Sequence, residues 1–276
     1  MIKNIIKKSF LNRFDDHADL QIYNIWLARY ELIKKSGRQP FIPDMPEKYF
    51  SQNDEDGYTL KINERFKGSL ESFVEIGVGN GLENNTLLLK ANGLRGLWVD
   101  AEMLPKDIVL DEKSKNFKFV KMFVTYKNIN EILTMHLDKL KLKEFDVLSV
   151  DIDSDDLKVI DSITSKFRPK LIIAEINSKL GPIAHWSFSS VTVNTPAGDN
   201  FGVSYMSLKK TLAAKRYRYL AMNAGTGLNA FFIDDAYSKL FPELDLDINF
   251  VPPLYRWPKR MFGFSSYALV NSILNG

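Results

Sequence analysis

The stretch Val74-Glu-Ile-Gly77-Val-Gly79-Asn-Gly81 decides the fold of this chain. A short apolar run that predicts a β-strand ends in three closely spaced glycines, and a segment with helical spacing follows them. Glycine permits a tight backbone turn and lets a ligand approach the backbone N–H groups at the start of a helix. The stretch therefore predicts a strand, a ligand-binding turn and a helix.

Short apolar runs alternate with helical stretches from residue 68 onward, and this alternation is typical of βαβ units with a parallel sheet. The predicted strands are 72–77, 96–100, 117–121, 145–151, 170–175, 217–222 and 229–233, and the predicted helices near them are 54–66, 86–91, 128–140, 155–167 and 208–215. The link between the last two strands is too short for a helical crossover, so these strands should be antiparallel. We therefore predict an α/β fold with a doubly wound, mostly parallel seven-stranded sheet, one antiparallel strand near its end, and a ligand crevice at the carboxyl ends of the strands.

The N-terminal part of the chain differs from the rest in pattern and charge. Residues 1–36 show helical spacing, and the three prolines within residues 37–46 predict an extended linker. We divide the chain into a helical N-terminal extension with its linker, residues 1–67, and a main domain with a C-terminal extension, residues 68–276. Residues 1–40 carry eight Lys and Arg against four Asp and Glu. We favour a basic helix packed on its own domain over one that lies on an anionic membrane surface.

The composition limits the classes of protein and partner. With 276 residues, 45% hydrophobic and 26% charged, the chain has globular proportions and can enclose a sizeable core. The net charge of +3 gives no reason to expect a nucleic-acid partner. The absence of Cys excludes a disulfide framework and a thiolate zinc site, and it fits a reducing, cytoplasmic location. No apolar run approaches the ~20 residues of a transmembrane helix, and early charges interrupt the apolar stretch that a signal peptide needs.

Glu75 and Asp100 narrow the class of cofactor that the glycine turn can hold. A dinucleotide-binding turn has a third glycine where this chain has Leu82, and the Lys-Ser/Thr pair of a phosphate-binding loop is missing. The carboxylate of Glu75 would repel a pyrophosphate but suits the ammonium and sulfonium groups of S-adenosylmethionine. Asp100 ends the second strand, where a carboxylate accepts hydrogen bonds from ribose hydroxyls in either cofactor class. The alternative for Glu75 is a solvated charge at a strand end.

Several motifs together carry a resemblance to a known family. They are Ser51-Gln-Asn-Asp-Glu-Asp-Gly57, Gly77-Val-Gly-Asn-Gly-Leu-Glu-Asn-Asn-Thr86, Gly96-Leu-Trp-Val-Asp100, Val124-Thr-Tyr-Lys-Asn-Ile-Asn130, Leu148-Ser-Val-Asp-Ile-Asp-Ser-Asp-Asp156, Ala174-Glu-Ile-Asn177 and Gly227-Leu-Asn-Ala-Phe-Phe232. The part from Phe73 to Asp100 resembles the nucleotide-binding half of class I S-adenosylmethionine-dependent methyltransferases, and residues 50–235 resemble the FkbM-type methyltransferases. Ala101 departs from this pattern, in which a glycine commonly follows the Asp.

The resemblance implies a cofactor, a reaction and an acceptor. It implies methyl transfer from S-adenosylmethionine to a hydroxyl of a sugar or of a cell-surface glycan precursor, as in polysaccharide biosynthesis. It also implies that Glu55 borders the donor pocket, although the acidic run Asp54-Glu-Asp is equally a favourable helix start. The implied donor contacts are Gln52, Glu75, Gly77, Gly79, Asn80, Gly81, Asn85, Thr86, Asp100 and Asp151.

Oxygen-rich side chains end the fourth and fifth predicted strands. Asp151 and Asp153 follow the fourth strand, Glu175 and Asn177 follow the fifth, and the alternation of side chains places each pair on one side. One interpretation is a site for Mg²⁺ or another divalent cation that binds the acceptor hydroxyl and lowers its pKa. The other is a metal-free site in which Asp153 or Glu175 is the general base. His185, ten residues after the fifth strand, is a further catalytic candidate or a structural loop histidine.

Residues 179–202 form a long connection that carries Trp186, Phe188 and Phe201. Their rings would either stack on a sugar acceptor and close over it, or pack beneath the loop. The leading interpretation of the whole chain is a methyltransferase with a small-molecule or glycan acceptor. A non-catalytic cofactor-binding module and, less favoured, a nicotinamide-dependent oxidoreductase are the alternatives.

Overall fold

A seven-stranded sheet forms the centre of the computed structural model, which describes residues 20–37, 39–106, 114–189, 199–245 and 250–253. Its strands are β1 (Ser72–Ile76), β2 (Arg95–Asp100), β3 (Phe117–Lys121), β4 (Val147–Val150), β5 (Leu171–Glu175), β6 (Tyr217–Met222) and β7 (Asn229–Asp234). Their order is β3-β2-β1-β4-β5-β7-β6. Strands β1 to β5 pair in parallel, and β7 is antiparallel to both of its neighbours. The predicted doubly wound, mostly parallel sheet with one reversed strand near its end is confirmed.

The helices follow the predicted pattern with small shifts at their ends. They are α1 (residues 20–36), α2 (Glu55–Arg65), α3 (Leu87–Ala91), α4 (Ile129–Lys139), α5 (Asp156–Thr164) and α6 (Tyr205–Ala214), with 3₁₀ turns at Ser178–Leu180 and Asp235–Leu240. Helix α6 begins three residues before its predicted start because Ser204 caps it by accepting a hydrogen bond from the backbone N–H of Ser207. No helix within the described ranges is long and apolar enough to cross a membrane.

Alternate residues of each strand face two different hydrophobic layers. Val74 and Ile76 of β1 pack with α4, α5 and α6 on one face of the sheet. Phe73 of β1 packs on the other face with Tyr30 of α1 and Tyr58 of α2. The segment N-terminal to β1 therefore supplies one of the two layers that cover the sheet. The basic residues 1–19, for which we favour a packed helix, lie outside the described part of the chain.

Candidate functional site

Gly77 brings the carboxyl end of β1 against the carboxyl end of β4. Its φ of +82° lies in the left-handed region, and a Cβ at this position would lie 1.6 Å from the carbonyl oxygen of Asp151. The backbone N–H of Gly77 donates to Val99 at 3.0 Å, and that of Asp151 donates to Ile76 at 3.0 Å. Glycine is thus required at position 77 by both the backbone angle and the close contact. The predicted crevice at the strand ends is built around this turn.

Two cavities meet at the glycine turn, and Gly77, Gly79 and Asp151 line both of them. The first, which we call the β2-side cavity, has a volume of about 360 Å³. It is also lined by Ile76, Val99, Asp100, Ala101, Phe123, Val124, Ile152, Asp153 and Ser154. The second, which we call the α2-side cavity, has a volume of about 260 Å³. It is also lined by Gln52, Glu75, Val78, Asn80, Glu83, Asn84, Asn85 and Asn229.

Asp100 joins the end of β2 to the glycine turn. Its Oδ2 accepts a hydrogen bond from the backbone N–H of Gly79 at 2.9 Å, and its Oδ1 accepts one from Glu102 at 2.8 Å. The side chain borders the β2-side cavity next to Val124 and Ile152. A carboxylate and apolar side chains therefore share the wall of this cavity.

The side chain of Glu75, on β1, is buried against the start of α3, so the alternative of a solvated strand-end charge is wrong. Its Oε1 accepts a hydrogen bond from the backbone N–H of Asn85 at 2.9 Å. Its Oε2 accepts from the backbone N–H of Thr86 at 3.2 Å and from the Thr86 hydroxyl at 2.5 Å. Burial raises the pKa of Glu75 to about 7, although these hydrogen bonds favour the charged form. The carboxyl group both anchors the helix start and borders the α2-side cavity.

The residues of the glycine motif occupy different positions relative to the cavities. Asn80 and Asn85 border the α2-side cavity, and the Asn85 side chain donates to Ser149 Oγ at 3.1 Å. Thr86 is fully buried between Glu75 and the Trp98 indole N–H. Neither Thr86 nor Gly81 is among the described residues that line the two cavities. These two residues, which the resemblance implied as donor contacts, contribute to the shape of the turn.

The ends of β4 and β5 bring three carboxyl groups together. One oxygen of each of Asp151, Asp153 and Glu175 lies within 4.8 Å of the other two. Burial, followed by the charges of Asp156 and Asp153, raises the pKa of Asp151 to about 8. Burial and the charge of Asp151 raise the pKa of Glu175 well above its usual range, and the Glu175 and Asp151 side chains are hydrogen-bonded. This pairing indicates that the two groups share a proton.

Asp156, which the sequence analysis did not single out, shapes the loop that carries Asp153. It is fully buried in the first turn of α5, where its carboxylate accepts the backbone N–H groups of Ile152 and Ser154, both at 2.9 Å. Asp153 adopts a φ of +58° within this loop, and its side chain is exposed at the crevice. An acid in the first turn of a helix after a strand was the available signal.

The other predicted catalytic residues lie in different surroundings. Asn177 is fully buried, and its Nδ2 donates to the carbonyl oxygens of Asp199 at 2.7 Å and Phe201 at 3.3 Å. His185 is exposed and is not among the described residues that line either cavity. Phe188 and Phe201 are buried, which favours packing beneath the loop for these two rings. Residues 190–198 of this connection lie outside the described ranges.

The acidic run at the start of α2 is buried, whereas a helix start of this kind is ordinarily exposed. Asp56 accepts the backbone N–H groups of three preceding residues, Tyr49, Phe50 and Ser51, at 2.7 to 2.8 Å. Glu55, also fully buried, accepts from the side-chain amide of Asn229 at 2.9 Å. Burial and the neighbouring charge of Asp54 raise the pKa of Glu55 to about 7.

Gln52 is exposed at the mouth of the α2-side cavity, and Asn84 and Asn229 line the same cavity. The sequence analysis assigned no site role to these two asparagines. Both stand within quoted motifs, which were the available signal for them.

Of the comparisons with known proteins, the one with solved structures found similar chains. No protein-family model matches the sequence, and no curated protein matches it. The structure is similar to the 1,6-didemethyltoxoflavin-N1-methyltransferase of Burkholderia thailandensis with S-adenosylhomocysteine bound, at 15% identity and a TM-score of 0.40 over 62% of this chain and 73% of that one. It is also similar to an O-methyltransferase from Bacillus cereus in complex with S-adenosylhomocysteine, at 12% identity and a TM-score of 0.36 over 74% of this chain and 87% of that one.

A further similar structure is the MycE methyltransferase of the mycinamycin biosynthetic pathway in complex with Mg, S-adenosylhomocysteine and mycinamycin VI. The identity is 17% and the TM-score 0.34, over 64% of this chain and 45% of that one. All three neighbours are methyltransferases with S-adenosylhomocysteine bound.

Proposed function

We propose that this protein is an S-adenosylmethionine-dependent O-methyltransferase that acts on a hydroxyl of a sugar or cell-surface glycan precursor. The observation that supports it most is the pair of cavities that meet at Gly77. A donor with a nucleoside at one end and an amino acid at the other has the form of this divided crevice. Asp100 in the β2-side cavity would accept hydrogen bonds from the ribose hydroxyls. Glu75 in the α2-side cavity would favour the cationic amino-acid portion.

The reactive centre of the donor would lie near Asp151, which lines both cavities. In the reaction the acceptor oxygen attacks the methyl carbon, the carbon–sulfur bond breaks, and its electron pair stays on sulfur. The hydroxyl proton passes to a base. Positioning of the two reactants supplies much of the rate increase in such a displacement, and the acidic crevice would favour the cationic donor over its neutral product.

Asp153 and Glu175 are the candidates for the base. Asp153 is exposed at the crevice, so it is accessible to an incoming acceptor hydroxyl. Glu175 shares a hydrogen bond with Asp151, and in its protonated form it would orient the acceptor without accepting a proton. The metal-free version of the mechanism therefore favours Asp153 as base.

The same carboxyl groups fit a divalent cation. Their three oxygens within 4.8 Å are hard ligands of the kind that Mg²⁺ binds. A bound cation would lower the pKa of the acceptor hydroxyl. Asp151, Asp153 and Glu175 would hold the cation. Asn177 would contribute indirectly, because its side-chain amide holds the backbone at Asp199 and Phe201. His185 remains a proposal for an acceptor contact.

The support for a sugar acceptor is the resemblance of the motifs to FkbM-type methyltransferases, and we propose membership of that family on the same ground. Trp186 stands in the connection before α6 and offers a ring to such an acceptor. The cysteine-free composition supports a cytoplasmic location. Two features argue against a nicotinamide cofactor: the buried carboxyl of Glu75 beside the glycine turn, and the missing third glycine.

Calorimetry with S-adenosylhomocysteine and with NAD tests the cofactor. We expect the wild-type protein to bind S-adenosylhomocysteine and Asp100→Asn to bind it about tenfold more weakly, since an acceptor for the ribose is lost. Asp138→Asn, on the exposed side of α4, is the matched control and should bind normally. Binding of NAD alone would indicate the oxidoreductase. Binding of S-adenosylhomocysteine without methyl transfer to any of a panel of sugar hydroxyls would indicate the non-catalytic module.

A further inference from the structure

The wall of the α2-side cavity has a one-sided chemical character. Its titratable members are the acids Glu75, Glu83 and Asp151, and none of the described residues that line it is Lys, Arg or His. Amide side chains, among them Asn84 and Asn229, complete the wall. Because acids and amide oxygens are available there and basic groups are not, the cavity favours a cationic group with N–H donors over an anion.

Asn229, which lines this cavity, has a side-chain oxygen without a hydrogen-bond partner in the described part of the chain. Its side chain is buried, with 5% exposed. Its Nδ2 donates to Glu55 Oε1 at 2.9 Å, and its backbone N–H donates to Asn223 Oδ1 at 2.9 Å. Its Oδ1 has no hydrogen-bond partner among the described residues. Because buried polar atoms are nearly always paired, an unpaired oxygen on a residue that lines a cavity points to a ligand as its partner.

Glu55 determines which end of the Asn229 amide is left free. Glu55 Oε1 accepts from the side-chain amides of both Asn223 and Asn229, so the Asn229 amide turns its Nδ2 end to Glu55 and its Oδ1 end stays unpaired within the described ranges. Glu55 is itself held by the backbone N–H of Asn53 at 2.8 Å and by the side-chain amide of Asn223 at 3.1 Å. Its carboxylate therefore cannot turn without breaking these contacts.

Asn84 provides a second unused oxygen in the same wall. Its side chain is 3% exposed, its Nδ2 donates to the carbonyl oxygen of Val78 at 3.3 Å, and its Oδ1 has no partner in the described structure. A primary ammonium group carries three N–H donors. The unpaired oxygens of Asn84 and Asn229, together with one carboxyl oxygen of an acid that lines the cavity, would offer three acceptors for these three donors.

We propose that Asn229, together with Asn84, accepts hydrogen bonds from the α-ammonium group of the methyl donor, and that Glu55 is the positioning residue that holds the Asn229 amide. This inference rests on the proposed function and deepens it, because it names the groups that select the amino-acid portion of the donor. Asn229 lies on β7, opposite Glu175, so the last strand contributes directly to donor binding.

Three ligands test the inference on the wild-type protein: S-adenosylhomocysteine, its deaminated analogue and its decarboxylated analogue. The decarboxylated analogue keeps the ammonium group, and the deaminated one keeps the carboxylate. We expect calorimetry to show that loss of the amine weakens binding about tenfold or more, since hydrogen bonds to a charged group are lost. Loss of the carboxylate should have the smaller effect. Equal binding of the two analogues, or tighter binding of the deaminated one, overturns the inference.

Variants assign the effect to particular residues. In Asn229→Ala the affinity ratio of the decarboxylated to the deaminated analogue should fall by about tenfold. Glu55→Gln keeps an oxygen that can accept from Asn229 Nδ2 and should keep most of the ratio, whereas Glu55→Leu should lose it. Thr226→Ala removes a hydrogen bond to Asn223 in the same network without lining the cavity, and its ratio should stay at the wild-type value. A ratio is independent of the folded fraction, so partial unfolding does not mimic the result.

The outcomes separate this inference from the proposed function. If S-adenosylhomocysteine binds but the ratio is unchanged in Asn229→Ala, the inference is wrong and the donor assignment stands. If the wild-type protein, folded by circular dichroism, binds none of the three ligands, the donor assignment fails and the inference fails with it.

Discussion

The carboxyl group of Glu75 and the hydroxyl group of Thr86 form a buried hydrogen bond of 2.5 Å between the end of β1 and the start of α3. The Trp98 indole N–H donates to the same hydroxyl at 2.9 Å. One threonine side chain thus connects β1, β2 and α3 directly beneath the α2-side cavity. The glycine turn above it is positioned by a polar contact as well as by apolar packing.

Thr86→Val should destabilise the fold by about 1–3 kcal/mol. Valine has nearly the same shape but leaves the Trp98 indole N–H without its buried partner and removes one of the two hydrogen bonds that Glu75 Oε2 accepts from residue 86. Urea unfolding at a fixed pH measures the change in the free energy of unfolding. The matched control is Thr134→Val on the exposed side of α4, where a change within about 0.5 kcal/mol is expected. Equal effects of the two substitutions would contradict the structural role of Thr86.

Gly77→Ala should cost about 3 kcal/mol or more, because a Cβ there meets the carbonyl oxygen of Asp151 at 1.6 Å in addition to a φ of +82°. Gly93→Ala is the matched control, since Gly93 has a φ of +87° and nothing within 4 Å of the added Cβ. We expect a loss of about 1 kcal/mol there, from backbone strain alone. Comparable unfolding free energies for the two variants would show that β1 and β4 are not in close contact at the turn.

The stability of the protein should fall as the pH rises from about 4.5 to about 7. Burial raises the pKa values of Glu55 and Glu75 to about 7, whereas in the unfolded chain glutamate titrates near about 4.3. Between these values the folded state holds protons that the unfolded state has released, so each group lowers the unfolding free energy by roughly 1.4 kcal/mol per pH unit. Their contribution is complete below about 4.3 and is lost once the pH passes about 7.

Urea unfolding at pH 5, 6, 7 and 8 checks this dependence, and Glu75→Gln is the informative variant. Glutamine does not titrate, so its profile should be flatter than that of the wild-type protein over the same interval. Glu83→Gln, an acid that lines the same cavity, serves as the comparison. A wild-type stability that increases between pH 5 and pH 7 would be inconsistent with two buried, protonated glutamates.

Asp153→Asn should abolish most methyl transfer while leaving donor binding intact. Loss of a general base typically lowers kcat by about 10²–10⁴-fold, and loss of a metal ligand has an effect in the same direction. Asp161→Asn, whose side chain is 50% exposed and pairs with Lys215 at 3.0 Å, is the control with expected wild-type kcat. Chelation with EDTA separates the two mechanisms: loss of activity restored by Mg²⁺ supports the cation site, and unchanged activity supports Asp153 as a metal-free base.

Local sequence patterns were sufficient to predict the architecture of the sheet. Strands β3 and β6 have the predicted bounds because apolar runs flanked by polar residues mark short buried strands. The short link before β7 required the reversed strand. The proximity of Asp151, Asp153 and Glu175 depends on β4 and β5 being neighbours in the sheet, an order that the resemblance to methyltransferases implies and that local patterns do not provide.

Contacts between residues far apart in the sequence decided which polar side chains are buried and which partners they have. The hydrogen bond between Glu55 and Asn229 joins residues 174 positions apart, and the burial of Glu75 depends on α3 and β2 folding over it. No local pattern distinguishes a buried, proton-holding glutamate from a solvated one, because burial is a property of everything that packs around the residue. The sequence by itself determined which strands form and which polar residues end them; only the tertiary structure decided which of those polar groups are buried, paired or left without a partner, because burial and pairing depend on residues that are distant in the sequence.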